Sequence, residues 1–316
     1  MNPSELEQCP ICGGETFVYA DGISSEDTGE LFSVKVCCKC GHGETTPVPA
    51  DLGPYYSHYH GGRHGFTARF RARRRAALLG RAFAGKDPRA VFDIGCGDGD
   101  FLIATRKMGW AVAGSERVEK ASDIDGIRVF RDLAEAIEVL GESSQDAVTC
   151  WHSLEHFTDP NAALADIRRL LADNGVLIVA VPDSGGWQAR IFGKSWLHLD
   201  VPRHLSHFTA DSLKQVLEHH GFSVRRSRHC EFEYDVLGWS QSSLNAMFRT
   251  QNVFFHVLSG KAANVLIVSK LANFVLGSLL SAISLPLVLA GSLAGRGGTL
   301  VVEAVKFDNC THISAK

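Results

Sequence analysis

The chain has 316 residues, 45% of them hydrophobic and 21% charged, enough for one large domain with an appendage or for two domains. A formal net charge of −3 argues against a general nucleic-acid binder. Charge is nevertheless segregated: acids dominate residues 1–50, Arg and Lys dominate 63–89, and no Asp or Glu occurs from Val236 to Val302.

The start, MNPSELEQCP, lacks a basic region followed by an apolar core, so no secretory signal is expected and the protein is read as cytoplasmic. Nine cysteines then point to metal ligands or buried thiols rather than disulfides. Cys9 with Cys12, and Cys37 with Cys40, form two C-x-x-C knuckles, each followed by a turn glycine, Gly13 or Gly41. Four thiolates so spaced can hold a tetrahedral Zn2+, and TFVYA and LFSVKV between them read as a hairpin. A zinc ribbon over 1–50 is therefore expected, either purely structural or docking a partner.

Residues 51–89 contain YYSHYHGG and the basic run ARFRARRRAALLGR. Arg71, Arg73, Arg74 and Arg75 suit a solvated helix face or a surface for an anionic partner. The next stretch, AVFDIGCGDGDFLIATRKMG, reads as strand, glycine loop and helix. Position 100 is Asp, so the dinucleotide pattern G-x-G-x-x-G is absent; glycines fall instead at Gly95, Gly97 and Gly99, after Asp93.

WAVAGSE is a second strand ending in Glu116, IRVFRD a third ending near Asp132, and DAVTCWHSLEHFTDP a fourth strand entering a loop. A helix follows with Asp159 as N-cap, Pro160 at its first position and Gly175 just past its end. VLIVAVPD is a wholly apolar fifth strand, as in a parallel sheet covered on both faces. TADSLKQVLEHHGF continues as a helix, SVRRSRHCEFEYD as a sixth strand and GTLVVEAVKF as a seventh.

The D-x-G-x-G-x-G spacing, with LEH...DP, RLLADNGVLIVAVP and DVPRHLSHFTADSLKQVLEHHGF, resembles class I S-adenosylmethionine-dependent methyltransferases, in the branch that methylates small molecules. The resemblance implies an α/β fold, a Rossmann-like doubly wound seven-stranded sheet of order 3-2-1-4-5-7-6 with strand 7 antiparallel, over 90–235 and 297–316. It implies a cofactor site in which Asp93 holds the ammonium group of S-adenosylmethionine and Glu116 its ribose hydroxyls, with Gly95, Cys96, Gly97, Gly99, Trp151 and, more weakly, Asp132 around it. In such a fold the loop after strand 4 reaches the methyl donor, so His152 or His156 is a candidate base, with Glu155 beside them. His204, His207 and Asp183 become acceptor contacts, although His198, His204 and His207 also have a spacing that metal ligands adopt.

Residues 236–296 then form an insert between strands 6 and 7. Within it, 271–295 carry no charge, a length that would cross a bilayer. If GTLVVEAVKF is the last strand, the chain must return to the sheet, which excludes a single crossing. Pro286 predicts a kink or two short helices. Asn273, Gly277, Ser281 and Ser284 fall within about 80° on a helical wheel and would pack on protein, leaving an apolar surface for lipid, a second subunit or the domain itself.

The function expected is methyl transfer to a small or lipid-linked acceptor, such as a sugar or glycolipid precursor at the inner face of an anionic membrane, with a homodimer as a further partner state. An rRNA or tRNA methyltransferase and a non-catalytic cofactor-binding protein are the alternatives. The acidic ribbon and the lack of an N-P-P-Y-type motif weigh against nucleic acid.

Overall fold

The computed structural model describes residues 8–56, 67–83, 89–117, 123–262 and 265–307. Most of the YYSHYHGG segment and the last nine residues lie outside that range. In chain order the strands and helices are β1 (Thr16–Ser24), β2 (Leu31–Cys37), β3 (Gly43–Thr46), α1 (Gly53–Tyr56), α2 (Ala68–Ala82), β4 (Ala90–Ile94), α3 (Asp100–Arg106), β5 (Ala111–Ser115), β6 (Asp123–Ile124), β7 (Ile127–Phe130), α4 (Leu133–Leu140) and β8 (Gln145–Trp151). After them come α5 (Pro160–Leu170), β9 (Leu171–Pro182), α6 (Trp187–Phe192), β10 (Ser206–His207), α7 (Ala210–His219), β11 (Phe222–Arg228), α8 (Phe232–Met247), α9 (Val253–Ser259), α10 (Ile267–Leu293) and β12 (Thr299–Lys306).

The chain divides into two compact units, the first of Met1–Gly65, Pro182–Leu213 and Arg228–Leu300, the second of Phe66–Val181, Lys214–Ser227 and Val301–Lys316.

The second unit is built on a sheet of order β11-β12-β9-β8-β4-β5-β7-β6. Taking β4, β5, β7, β8, β9, β11 and β12 as strands 1 to 7, this is the expected 3-2-1-4-5-7-6, mixed with one antiparallel strand. The short β6, paired antiparallel with β7, adds an eighth strand at the edge. Parallel pairs β4–β5, β4–β8, β5–β7 and β8–β9 form the centre. Its strands are mainly apolar, as in a sheet covered on both faces: Val91, Phe92, Ala147, Val148, Ile178 and Val179 have no exposed surface. Leu79 of α2 and Leu102 of α3 are as deeply buried in the same core as Ile127, Ala147 and Ile178.

Two boundaries differ from expectation. Asp159 caps α5 as foreseen, its Oδ1 accepting from the Asn161 and Ala162 amides at 2.9 and 3.1 Å. The helix ends at Leu170, however, because Leu171 already pairs with Gln145 of β8; Gly175 lies within β9 and Asn174 takes the left-handed conformation, φ 59°. The sixth strand stops at Arg228, and most of EFEYD opens α8 instead, where the Asp235 carboxylate accepts from the Glu231 amide at 2.9 Å. That backbone cap starts a helix where the apolar alternation suggested strand.

The first unit contains an antiparallel sheet of order β1-β2-β3-β10. The ribbon strands thus do not close on themselves: Ser206 and His207 pair with Glu44 and Gly43 across a long stretch of sequence. Phe32, Val34, Tyr55, Trp196, Leu199 and Val201 form the core beside this sheet. Helices α8, α9 and α10 complete the unit along a polar seam. Gln241 Nε2 donates to Asn245 Oδ1 at 2.7 Å, Gln241 Oε1 accepts from the Phe255 amide at 2.8 Å, and Asn245 Oδ1 accepts from the Asn252 amide at 2.9 Å.

Helix α10 runs unbroken through Pro286. Pro286 and Ala282, whose carbonyl the proline leaves without its helical donor, both lie on exposed surface, so the loss is tolerated without disturbing the packed side. The packed stripe follows the expected positions, with Asn273, Gly277 and Ser284 buried and Ser281 half-buried, and Val288 and Gly291 join it. At Gly277 a Cβ would come within 2.5 Å of the Phe254 ring, so this helix approach requires glycine.

Candidate active site

In the second unit the turn after β4 is shaped by three left-handed glycines, Gly95, Gly97 and Gly99, with φ of 68°, 53° and 74°. Their requirements differ. A Cβ on Gly95 would lie 2.3 Å from Ser153 Oγ, whereas one on Gly97 would meet nothing within 4 Å. Gly95 is fixed by packing, and Gly97 faces open space into which a ligand can come against bare backbone.

Glu116, just after β5, closes the cradle: its Oε2 accepts from the Gly97 amide at 2.9 Å and its Oε1 from the Arg117 amide at 2.9 Å. Asp93 sits beneath, 3% exposed, with the Thr149 hydroxyl donating to its Oδ1 at 2.5 Å. Burial lifts the Asp93 carboxyl to about 7, against the opposing influence of the Thr149 hydroxyl and the positive charge of Arg75. Cys96 points into the core, and burial keeps it a neutral thiol.

The loop after β8 rises beside this turn. Ser153 Oγ donates to the Ile94 carbonyl at 2.9 Å, tying the loop to β4. His152 is held at φ 54°, a strained conformation for a β-carbon residue, with its amide donating to the Ala180 carbonyl at 2.8 Å. Its Nδ1 lies 3.6 Å from Oε1 of Glu155, which is 1% exposed; Leu154–His156 form one 3-10 turn. Trp151 is buried between the Phe101 ring, 5.8 Å away edge-on, and the Arg75 guanidinium, 4.7 Å from its ring centroid. Its indole Nε1 has no hydrogen-bond partner among the described residues. Of the basic run, Arg75 thus reaches this site. Thr149 and Ser153 were missed in the sequence; the lone hydroxyls in an otherwise apolar strand end, DAVTCWHS, were the available signal.

Asp132 has a structural role. Its Oδ1 caps α4 by accepting from the Glu135 amide at 2.9 Å, while Glu135 Oε2 accepts from the Arg131 amide at 2.9 Å.

In the first unit the four sulfurs of Cys9, Cys12, Cys37 and Cys40 lie within 4.8 Å of one another and form no disulfide. Cys9–Cys40 and Cys12–Cys37 are 3.6 and 3.4 Å apart, close to the about 3.7 Å expected for thiolates bound tetrahedrally about 2.3 Å from zinc. Gly13 and Gly41 are left-handed, φ 66° and 73°, as the knuckles require. At Cys37 burial raises the thiol, but amides of Cys40 and Lys39 outweigh it and bring it to about 7. The residues present fit a zinc ion.

The loop carrying the other histidines is tied to this ribbon. The Thr45 hydroxyl donates to the His204 carbonyl at 2.6 Å, and His207 Nε2 donates to Thr45 Oγ1 at 2.9 Å. The Thr209 hydroxyl donates to the Cys40 carbonyl at 2.9 Å. His204 Nδ1 donates to the His198 carbonyl at 2.8 Å and its Nε2 is 3.8 Å from Asp200. Arg203 links Asp200 to Asp27 of the ribbon. His198 and His207 thus have separate partners, 3.3 Å to the Tyr234 carbonyl for His198. Asp183, 2% exposed, accepts from the Gly185 amide at 2.8 Å and lies 3.7 Å from His229.

Residues 67–227, just over half the chain, match the family described as Methyltransferase domain. The protein belongs to this methyltransferase family. Its class is the S-adenosylmethionine-dependent class I fold. The ubiquinone biosynthesis O-methyltransferase of Alkalilimnicola ehrlichii is 27% identical over 113 residues, 33% of this chain and 46% of that protein, so the chain matches about half of that relative's length. Among solved structures, a Burkholderia thailandensis 1,6-didemethyltoxoflavin-N1-methyltransferase is 18% identical with a TM-score of 0.48, covering 86% of this chain and 98% of the other. A SAM-dependent methyltransferase from Archaeoglobus fulgidus is 19% identical with a TM-score of 0.46, covering 75% of this chain and 94% of the other.

Proposed function

We propose that the protein transfers a methyl group from S-adenosylmethionine to a small or lipid-linked acceptor. The observation that carries the reading is the cradle in which Glu116 holds the amide of Gly97 beside open space, above a buried Asp93. The cofactor supplies an electrophilic methyl group that passes by in-line displacement. Asp93 would hold its ammonium group, directly or through water, and Glu116 its ribose hydroxyls. The buried indole N–H of Trp151, without a hydrogen-bond partner among the described residues, would be a further donor.

Much of the rate in such a displacement comes from holding donor and acceptor in line in a dry pocket. Where the acceptor must lose a proton, His152 is the better placed base, since its Nδ1 lies 3.6 Å from the buried Glu155 carboxylate, whose charge would favour the protonated ring. The O-methyltransferase named among the relatives supports a small-molecule acceptor over RNA. Zinc at Cys9, Cys12, Cys37 and Cys40 has a structural role in this reading. Through Thr45 and Thr209 it would stiffen the loop bearing His204 and His207, which would contact the acceptor only after the ribbon has set their backbone.

Calorimetry with S-adenosylmethionine and S-adenosylhomocysteine tests the assignment. Binding by the wild type and its loss in Gly97→Val with Glu116→Ala are expected; no binding at millimolar ligand, or unchanged binding in the double variant, would refute it.

A further inference from the structure

Helix α10 is long and apolar enough to cross a bilayer, yet it is not arranged to do so. Its buried positions Asn273, Gly277, Ser284, Val288 and Gly291 recur along about 27 Å of helix, so one side is covered by protein over about two thirds of its length. Beyond its last turn the chain is pinned back at once: the Trp187 amide donates to the Arg296 carbonyl at 3.0 Å, and the Gly298 amide to Asp235 Oδ1 at 2.6 Å. A crossing would drag this anchor, or the polar seam of α8 and α9, into hydrocarbon.

Among the described residues the opposite side is bare. Leu271, Val275, Leu279, Ile283, Leu289 and Leu293 are each more than half exposed, and at about 100° per residue the exposed apolar positions cover more than half of the circumference. Nearby, Met247 and Phe248 at the end of α8 are exposed too. A contiguous apolar surface of this kind marks an interaction site.

Charge identifies the occupant. Lys270 stands at one end of the helix and exposed Arg296 at the other, with exposed Arg249 after α8 and no acid from Val236 to Val302. A second copy packed on this face would set Lys270 and Arg296 against like charges, whether the paired helices ran parallel or antiparallel. Anionic headgroups would meet the exposed Arg249 and Arg296 with opposite charge.

We propose that α10 is a monotopic docking helix that lies in the plane of an anionic bilayer, its bare side sunk about 5–10 Å into the headgroup and acyl boundary and its other side packed on the first unit. This inference stands independently of the methyl-transfer reading.

The test uses full-length zinc-loaded protein floated with phosphatidylcholine vesicles, with or without phosphatidylglycerol. Wild type should float with the anionic vesicles and less so in high salt. Val275→Glu with Leu279→Glu should lower partitioning at least about tenfold while leaving S-adenosylhomocysteine affinity unchanged. Arg249→Gln and Arg296→Gln should each lower it about fivefold. Leu279→Trp, a change at an exposed position, should show blue-shifted emission quenched by brominated lipid. Absence of flotation, unchanged Trp emission, equal flotation of the glutamate variant, or a wild-type dimer that the glutamates dissociate would overturn the proposal, the last result assigning the face to a second copy.

Discussion

The glycine cradle at 93–116 and the cysteine ribbon at 9–46 both rest on left-handed glycines, yet they hold their shape by different means. The cradle is short in sequence and follows β4, whose last four residues are buried, beside the mostly buried β8, so its backbone is fixed by core packing. The ribbon has exposed strands, Phe17, Val18, Tyr19 and Leu31 among them, and gathers its order from four sulfurs and from a strand far along the chain, β10. Packing can support a site that must stay open to a ligand; a small, thinly buried sheet draws on a borrowed strand and on a sulfur set fit for a metal.

Removing the metal should separate the two most sharply. Zinc chelation, or Cys9→Ser with Cys40→Ser, is expected to release the protection of β1–β3 and of 204–209 in hydrogen exchange while β4, β5 and β8 stay protected. Structural zinc is worth about 10 kcal/mol or more in isolated fingers, so loss of the whole ribbon is the expected scale. Equal protection with and without metal would remove zinc from the account.

Within the cradle, Gly95→Val should both destabilise the protein, by about 2–4 kcal/mol because it collides with Ser153 at a left-handed residue, and abolish cofactor binding. Glu116→Ala should instead leave the melting temperature nearly unchanged and weaken binding about 10- to 100-fold. Calorimetry and thermal melts read the two effects separately.

The pH dependence follows from Asp93. With its carboxyl lifted to about 7 by burial, the ligand-free folded protein keeps a proton that the unfolded chain has released above about 4. Through this group the ligand-free protein is favoured at lower pH and loses that advantage as pH rises through about 7. A bound ammonium needs the carboxylate, so cofactor affinity should fall as pH drops below about 7, approaching tenfold per unit, and Asp93→Asn should flatten the profile. A flat wild-type profile would separate Asp93 from the ammonium.

The smallest effect is expected at Asp132. Asp132→Ala removes the cap of α4, about 1 kcal/mol, with cofactor affinity unchanged. A loss of affinity larger than the loss of stability would return Asp132 to the cofactor site.

Much of this was legible because it is local. The C-x-x-C pairs, the glycine spacing, Glu116 at a strand end and the Asn273–Gly277–Ser284 stripe each follow from neighbouring residues or from helical periodicity. What escaped depended on contacts across the chain. Nothing around Ser206 announces that it will pair with Glu44, or that the His207 ring will donate to Thr45. The helix at EFEYD depended on Asp235 reaching back to Glu231, against an alternation that favoured strand.

By itself, then, the sequence determined the methyltransferase sheet, the thiolate set and an uncharged helix too long to ignore, because chain geometry and side-chain period enforce these locally. Tertiary structure decided which hydroxyls, Thr149 and Ser153, steady the cradle, which strand completes the ribbon, and which side of α10 is left bare. Those outcomes turn on which distant surfaces meet, since a buried polar group must find a partner wherever the fold supplies one and an apolar face stays exposed only where no other part of the chain covers it.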